Sequence, residues 1–389
     1  MTSTPGEDAA RWLADKGAAM EDALVPLVTQ NSFTDAPEGG RAVGKKLLEL
    51  FAIEGLVARV VPSERYADHL VFSSAGESSA RKGAGSVALV GHLDTVFPPG
   101  VFEGYRKEGD IARGPGVLDM KGGLVVIAFA LKALAATGKL PGVNVVVVAD
   151  EEVGSPEGQA VIREAARDAR AGLVFEAGRK GDAIITRRKG TAGVHAKAHG
   201  KAAHAGNGHK EGKNAIWALA RFIDRAQGLT SYDRGVTVNV GKIAGGQGKN
   251  TVPDQAEAWI DFRFCSGQDG EATMAALREA ATLAAASVDG TRIELDGGVA
   301  RAPLERSEAS LALLQRYAAC ARASGLGDAE AALLGGGSDA STTSSMGIPS
   351  IDGLGPRGSG FHTKDELIEI SSLVPKAQAL ARFLAQEGL

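Results

Sequence analysis

The stretch VNVVVVADEEVGS, residues 143–155, joins an apolar run to three consecutive acids. The run as far as Ala149 predicts a buried strand, which Gly154 ends. Acids seldom follow one another at the end of a buried strand without a cation that neutralises them. A solvated acidic turn is the alternative explanation of Asp150–Glu152, and the rest of the chain decides between the two.

The chain has 389 residues, of which 44% are hydrophobic and 23% charged, and its net charge is −4. This composition is typical of a soluble globular protein large enough for more than one core, and its mild acidity favours neither nucleic acid nor an anionic membrane as a partner. The two cysteines, Cys265 and Cys320, indicate no disulfide framework, so any metal would be held by histidine and carboxylate. The first residues lack a signal-peptide pattern and no apolar run approaches membrane-spanning length, so we expect a cytoplasmic protein.

Short apolar runs lead to His92, to Glu152 and to Glu176, each with glycine close by. In open α/β sheets, functional sites lie beyond the carboxyl ends of the strands. Asp119 ends a glycine-rich loop that lets backbone approach a ligand closely. Asp94 lies two residues after His92, a spacing at which a carboxylate orients the imidazole ring. We therefore expect His92, Asp119, Glu152 and Glu176 to converge on one site.

Helical and strand patterns alternate in the first and last parts of the chain, which predicts an α/β domain. We predict helices at 8–28, 41–54, 124–136, 157–171, 307–324 and 375–387, strands at 57–61, 87–90, 143–149, 173–175 and 348–351, and a turn at 73–86.

From about Gly190 the pattern changes to alternating strands. Strands are predicted at 193–199, 236–243, 256–264 and 291–295, and helices at 214–226 and 271–285. This β-α-β-β-α-β order predicts a ferredoxin-like sandwich whose exposed strands offer a dimer interface. The expected domains are therefore a catalytic domain in two parts, 1–189 and 301–389, and an inserted domain at 190–300.

Motifs for other chemistry are missing or incomplete. The loop before Asp119 has neither the GxxxxGK[ST] nor the GxGxxG spacing of a phosphate cradle, and the GxGxxG at 353–358 contains a proline and opens no helix. No GxSxG occurs, which disfavours a serine hydrolase of the α/β-hydrolase type. The loop GGGSDAS at 335–341 precedes a helix, so its N–H groups are suited to bind an anion.

Eight motifs follow one another over nearly the whole chain. They are GHLDTV (91–96), GPGVLDMKGG (114–123), DEEVGS (150–155), FEAG (175–178), GKAAHAG (200–206), KNTVPDQAEAWIDFR (249–263), GGGSDAS (335–341) and GFHTKDE (360–366). In this order they resemble the dinuclear zinc exopeptidases and deacylases. The resemblance implies an α/β catalytic domain with a mixed sheet and helices on both faces, and an inserted ferredoxin-like dimerisation (lid) domain. It also implies a homodimer with two zinc ions per subunit, for which cobalt or manganese could substitute.

The resemblance assigns the metal ligands position by position. His92, Asp119 and Glu176 would bind one zinc ion, and Asp119, Glu152 and His362 the other, so that Asp119 bridges the two. Histidine and carboxylate ligands without cysteine leave zinc Lewis-acidic.

Other positions match residues that act on the substrate. Glu151 matches the general base, and because neighbours on an extended strand end face apart, it stays free while Glu152 binds metal. Asp94, described above, matches the orienting partner of the first histidine ligand. His204 matches a histidine that reaches from the partner subunit's small domain to stabilise the oxyanion. Asn250 and Arg263 match positions that bind the substrate's free carboxylate, a task that suits the bidentate guanidinium.

Within the family the chain most resembles the carboxypeptidase G type, a glutamate carboxypeptidase, through GGGSDAS and the stretch at 297–303. We expect hydrolysis of an amide next to a free carboxylate, releasing glutamate or a similar residue. Arg301 and the cluster Arg187-Arg188-Lys189 add positive charge that suits an acidic side chain. The family's bridging aspartate precedes a cis peptide bond, here Asp119–Met120, although the carboxypeptidase G type has an acidic residue in place of Met120.

Two alternatives stay open. An N-acyl-amino-acid deacylase of the acetylornithine deacetylase, desuccinylase or aminoacylase type would cut the same bond in a substrate with a different acyl group. A non-catalytic, metal-dependent binding protein would keep the fold without the reaction, although the intact Glu151 argues against it.

Overall fold

The structure is a computed structural model that describes residues 4–74, 85–138 and 140–387. Most of the turn predicted at 73–86 lies outside these ranges. The chain forms two compact units. The first comprises Met1–Arg187, Arg306–Leu333 and Ser338–Leu389, and the second comprises Arg188–Glu305 and Leu334–Gly337.

The helices and strands follow one another along both units. The helices are α1 Pro5–Leu13, α2 Gly17–Thr29, α3 Pro37–Leu50, α4 Gly122–Ala136, α5 Gly158–Ala165, α6 Ala215–Gln227, α7 Gly267–Ala286, α8 Glu308–Ala323, α9 Ala340–Ser345 and α10 Leu373–Glu387. The strands are β1 Leu56–Val61, β2 His69–Ser74, β3 Ser86–His92, β4 Arg106–Glu108, β5 Ile111–Arg113, β6 Val143–Val148, β7 Ala169–Val174, β8 Gly190–His199, β9 Ala203–His204, β10 Thr237–Gly245, β11 Thr251–Val252, β12 Gln255–Phe264, β13 Arg292–Arg301, β14 Ser350–Ile351, β15 Gly358–Ser359 and β16 Leu367–Glu369. No helix in the described ranges is long and apolar enough to cross a membrane.

The core of the first unit is a mixed sheet in the order β1-β2-β6-β3-β7-β14. The strands β3, β6, β7 and β14 run parallel, whereas β1 and β2 are antiparallel to their neighbours. Residues 145–148 of β6 are all buried although successive side chains point to opposite faces. On one face Gly91 packs against Leu124 of α4, and on the other Val148 packs against Gly158 of α5. The predicted α/β fold, with a mixed sheet covered by helices on both faces, is confirmed.

Two predicted helices are longer than the helices observed in the structure. The helix predicted at 8–28 is interrupted after Leu13 and forms α1 and α2. The helix predicted at 157–171 ends at Ala165, because the chain from Ala169 onward pairs with β3 and makes its backbone hydrogen bonds across the sheet. Tertiary pairing therefore overrides the local helical pattern.

The acids after β6 do not continue the strand, so the expected extended geometry is wrong. The strand ends at Val148, and Glu151–Val153 form a turn of 3-10 helix. Gly154 closes this turn with a φ of 99°, and its N–H donates to the carbonyl oxygen of Glu151 at 2.8 Å. The side chains of Glu151 and Glu152 therefore project from a turn and not from opposite faces of a strand.

A small sheet in the order β15-β16-β5-β4 lies at the bases of two loops in the first unit. Its strands are only two or three residues long, which is why no sequence pattern predicts them. Leu367 of β16 pairs with Arg113 of β5. The glycine-rich loop begins at Gly114, directly after β5, and the other loop ends at Glu366, directly before β16. Because β5 and β16 pair, these two loop ends lie side by side.

The second unit has the predicted order β8-α6-β10-β12-α7-β13, apart from the short β9 and β11. Its sheet is antiparallel throughout, in the order β10-β12-β8-β13. Alternate residues of β8 and β12 are buried under the helices, among them Val194, Ile260 and Phe262. The predicted ferredoxin-like inserted fold is confirmed.

Candidate metal centre

Three parallel strands deliver acidic and histidine side chains to one edge of the sheet. His92 is the last residue of β3, Glu152 lies in the turn after β6, and Glu176 follows β7 by two residues. Because β3 lies between β6 and β7, the three side chains share the carboxyl edge of these strands.

Asp119 lies between two histidines. Its Oδ1 is 3.2 Å from Nε2 of His92, and its Oδ2 is 3.3 Å from Nε2 of His362. Glu176 Oε1 is 3.7 Å from the same nitrogen of His92, and Glu152 Oε2 is 3.0 Å from that of His362. Each oxygen of Asp119 therefore faces its own set of one histidine and one glutamate.

Glu151 belongs to the same cluster. Its carboxylate, the imidazole of His92 and the carboxylate of Glu176 offer ligand atoms that all lie within 4.8 Å of one another, and so do His92, Asp119 and Glu152. Oε1 of Glu176 is buried and has no hydrogen-bond partner among the residues that the structure describes. An orphaned oxygen among further buried carboxylates fits a bound cation. Imidazole and carboxylate donors without a thiolate fit a divalent metal such as zinc.

The histidines and acids of this cluster shift one another's pKa values. Hydrogen bonds to Asp119 and Glu152 raise the pKa of His362 to about 10. Burial lowers the pKa of His92, but its hydrogen bond to Asp119 and neighbouring acids outweigh burial and raise this pKa well above the ordinary value. Burial and the charge of Asp119 raise the pKa of Glu176. Protonation of the two histidines thus supplies positive charge that offsets the negative charge of the neighbouring carboxylates.

Asp94 links His92 to the turn that carries the glutamates. Its carbonyl oxygen is 3.0 Å from Nδ1 of His92 and its Oδ1 is 3.3 Å from the same nitrogen. Its carboxylate also accepts the N–H groups of Glu151 and Glu152, both at 3.2 Å, and the hydroxyl of Thr34 at 2.8 Å. With Nδ1 as the donor, Nε2 of His92 is left to bind a metal. The sequence spacing predicts the contact with His92 but not the distant ones.

Asp150, to which the sequence assigns no role, is fully buried. Its Oδ2 accepts the N–H groups of Glu157 at 2.7 Å and Gly158 at 3.1 Å, where α5 begins. Its carbonyl oxygen accepts the N–H of Ser155 at 2.8 Å. Asp150 therefore holds the turn with Glu151 between β6 and α5. An acid ahead of a helix is the signal that could have indicated this contact.

The expectation that the loop GGGSDAS binds an anion stays a prediction, and the charge at the start of α9 bears on it. Asp339 precedes this six-residue helix, and its buried carboxylate accepts the hydroxyl of Ser155 at 2.7 Å. The side chain of Asp339 makes no capping hydrogen bond to the first N–H groups of α9, and its negative charge near them disfavours an anion there.

In the second unit, the pairing of β9 with β11 brings His204 next to Asn250. The N–H of Ala205 donates to the carbonyl oxygen of Asn250 at 2.9 Å. Nδ1 of the exposed His204 accepts the N–H groups of Gly206 and Asn207, both at 3.1 Å. In the neutral ring the proton therefore lies on Nε2, which is available as a donor.

The arginines expected to bind substrate differ in their surroundings. Arg263 forms a bidentate pair with Asp261, at 2.8 Å for both contacts, so a substrate carboxylate would have to replace Asp261. Arg301 ends β13 and is buried. The basic cluster is not a single exposed patch, because Arg187 is exposed whereas Arg188 is buried and donates to a backbone carbonyl.

Comparison with known proteins identifies the family. A family model described as a peptidase dimerisation domain matches residues 186–289. Carboxypeptidase G2 from Pseudomonas sp. (strain RS-16) is 30% identical over 315 residues, which cover 79% of this chain and 75% of that protein. The chain belongs to the M20 metallopeptidase family. The family resemblance seen in the sequence is thereby confirmed, and the protein is an M20 hydrolase.

Other known proteins share the fold or part of the sequence. Aminopeptidase PepT from Bacillus cereus has a TM-score of 0.80 at 22% identity and covers 96% of this chain and 99% of its own. An M20 family metallo-carboxypeptidase from Sulfolobus solfataricus has a TM-score of 0.73 at 17% identity, with 95% and 99% covered. Acetylornithine deacetylase from Myxococcus xanthus is 31% identical over 220 residues, 52% of this chain and 55% of that protein.

Zinc binding to the metal-free protein is expected to release protons. With a pKa of about 10, His362 is protonated at pH 7, and the pKa of His92 is also raised, whereas a metal ligand must be neutral imidazole. We expect proton release on metal binding at pH 7, and a higher apparent affinity as the pH rises toward 10. Titration calorimetry in two buffers of different protonation enthalpy measures this release, and equal heats in both buffers would contradict it.

Proposed function

We propose that the protein is a homodimeric, dinuclear zinc amidohydrolase that cleaves an amide next to a free carboxylate, releasing a C-terminal glutamate or a similar amino acid. The observation that carries this proposal is Asp119, whose two carboxylate oxygens face separate histidine–glutamate sets. Such an arrangement suits two metal ions that share one carboxylate. His92 and Glu176 would complete one site, and Glu152 and His362 the other.

Glu151 is the proposed general base. When bound, the metal ions supply Lewis acidity that polarises the substrate carbonyl and activates a water. Glu151 lies within reach of His92 and Glu176, and its backbone N–H is held by Asp94. It takes the proton of the attacking water and delivers it to the leaving nitrogen as the amide bond breaks.

The inserted unit supplies the proposed groups that bind the rest of the substrate. The contacts of Nδ1 of His204 leave its Nε2 available as a donor. From the partner subunit, this Nε2 donates to the developing oxyanion. Asn250, on the strand pair beside it, binds the free carboxylate together with Arg263 once that side chain releases Asp261. Arg301 is the proposed contact for an acidic side chain. Carboxypeptidase G2, the relative described above, supports a carboxypeptidase reaction.

Glu151→Gln is expected to lower kcat about 10²–10⁴-fold, because the amide cannot take the water's proton. Zinc content is expected to stay that of the wild type, because the assigned ligands are intact. Hydrolysis of an N-acyl glutamate and the bound zinc are measured for both proteins. The matched control is Glu54→Gln, an exposed glutamate of the same unit, which should keep wild-type kcat. Unchanged activity in Glu151→Gln would reject the mechanism, and a zinc-loaded wild type that hydrolyses no substrate would favour a binding protein.

The second candidate is an N-acyl-amino-acid deacylase, supported by the similarity to acetylornithine deacetylase over about half of the chain. Both candidates need the free carboxylate, so replacing it with an amide should lower kcat/KM about 10–100-fold, the loss expected for a hydrogen bond to a charged group. Dipeptides and folate-like substrates ending in glutamate are compared with N-acetyl and N-succinyl amino acids. Highest kcat/KM for glutamate-ending substrates supports the first candidate, and preference for small acyl groups whatever the amino acid supports the second. Equal rates for free and amidated substrates would contradict both.

A further inference from the structure

Glu366 is a fully buried acid that the mechanism above does not use. It lies four residues after His362 and directly before β16. Its carboxylate accepts three backbone N–H groups. Oε2 accepts that of Gly116 at 3.1 Å, and Oε1 accepts those of Leu118 at 2.9 Å and Asp119 at 3.0 Å. One side chain thus binds the backbone of the residue placed between the two histidines.

The backbone that Glu366 binds is irregular. Residues 117–121 form one wide helical turn in which Asp119 and Met120 have non-helical angles, and the peptide bond between them is cis. Gly116 has a φ of 74°, and a Cβ there would lie 2.7 Å from the side chain of Thr95. Buried N–H groups in such a segment need acceptors from outside it, and Glu366 supplies them.

Glu366 joins the glycine-rich loop to the loop of His362, and the strands next to these two loops, β5 and β16, are also paired. Leu367 and Ile368 of β16 pair with Arg113 and Ala112 of β5. Ile368 and Ala112 are fully buried. Glu366, the residue before β16, therefore lies opposite the start of the glycine-rich loop. From there its carboxylate reaches the N–H groups of that loop.

We propose that Glu366 is a positioning residue that fixes the Asp119 carboxylate between His92 and His362 and so sets the affinity for metal. This inference rests on the proposed metal site. A carboxylate that holds the backbone of Asp119 and belongs to the loop of His362 keeps both ligands in place before an ion arrives. Groups that orient metal ligands typically change metal affinity 10–100-fold when they are replaced.

The test is the affinity of metal-free protein for Co²⁺, followed by visible absorption, in wild type and Glu366→Gln. The amide keeps the length of the side chain but replaces one acceptor oxygen with a donor that opposes a backbone N–H. We expect the dissociation constant to rise about 10–100-fold. Asp365→Asn, an exposed neighbour, is the matched control and should bind as the wild type does.

A purely structural role predicts a different result. Both proteins are measured at a temperature at which circular dichroism shows the metal-free forms to be folded. A lower melting temperature with an unchanged dissociation constant would overturn the proposal. Saturating Co²⁺ should restore most of kcat in Glu366→Gln, because the reacting groups are intact.

Glu366→Asp provides a second variant if the glutamine variant does not fold. It keeps the charge but is one methylene shorter, so it cannot reach all three N–H groups, and its affinity for Co²⁺ should also fall. Wild-type affinity in either folded variant would overturn the proposal. Because Co²⁺ binding is measured without substrate, a wild type that binds Co²⁺ but hydrolyses nothing would contradict the proposed function and leave this inference standing.

Discussion

The mutual repulsion of buried carboxylates at the edge of the sheet is the constraint on which the site depends. Asp119, Glu152 and Glu176 are all largely withdrawn from water, and Glu152 and Glu176 each lie close to a histidine nitrogen that Asp119 also contacts. Without positive charge among them, such a group would cost several kcal/mol per ion. His92 and His362 supply part of this charge when protonated, and the raised pKa values of both record it.

Other buried carboxylates hold the backbone of two of these acids, Glu152 and Asp119. Parallel strands place their ends side by side, which brings ligands from distant parts of the chain to one edge. The loops beyond those ends are irregular, and buried carboxylates bind their backbone N–H groups. Asp94 holds the turn of Glu151 and Glu152, Asp150 holds the start of α5 beyond it, and Glu366 holds the loop of Asp119. Acids outside the proposed ligand set thus hold the turn and the loop that carry Glu152 and Asp119.

The sequence predicts those strands and helices that have a clear local pattern of apolar and polar residues. Apolar runs ending in an acid or histidine identify β3, β6 and β7, and alternating strands identify the inserted unit. The extended geometry expected after β6 is wrong, because Gly154 and the capping contacts of Asp150 fold those residues into a turn. The contacts of Glu366 join residues about 250 positions apart and have no local pattern, so they emerge only from the tertiary structure. The positions of the proposed metal ligands follow from family motifs, whereas the backbone contacts that hold two of them do not.

The proposed function requires two metal ions that would share the carboxylate of Asp119. Anomalous diffraction at the zinc edge, from crystals of the zinc-loaded protein, tests it most directly. We expect two peaks that both contact the Asp119 carboxylate, one beside His92 and Glu176 and the other beside Glu152 and His362. A single peak, or two peaks that do not both contact Asp119, would contradict it.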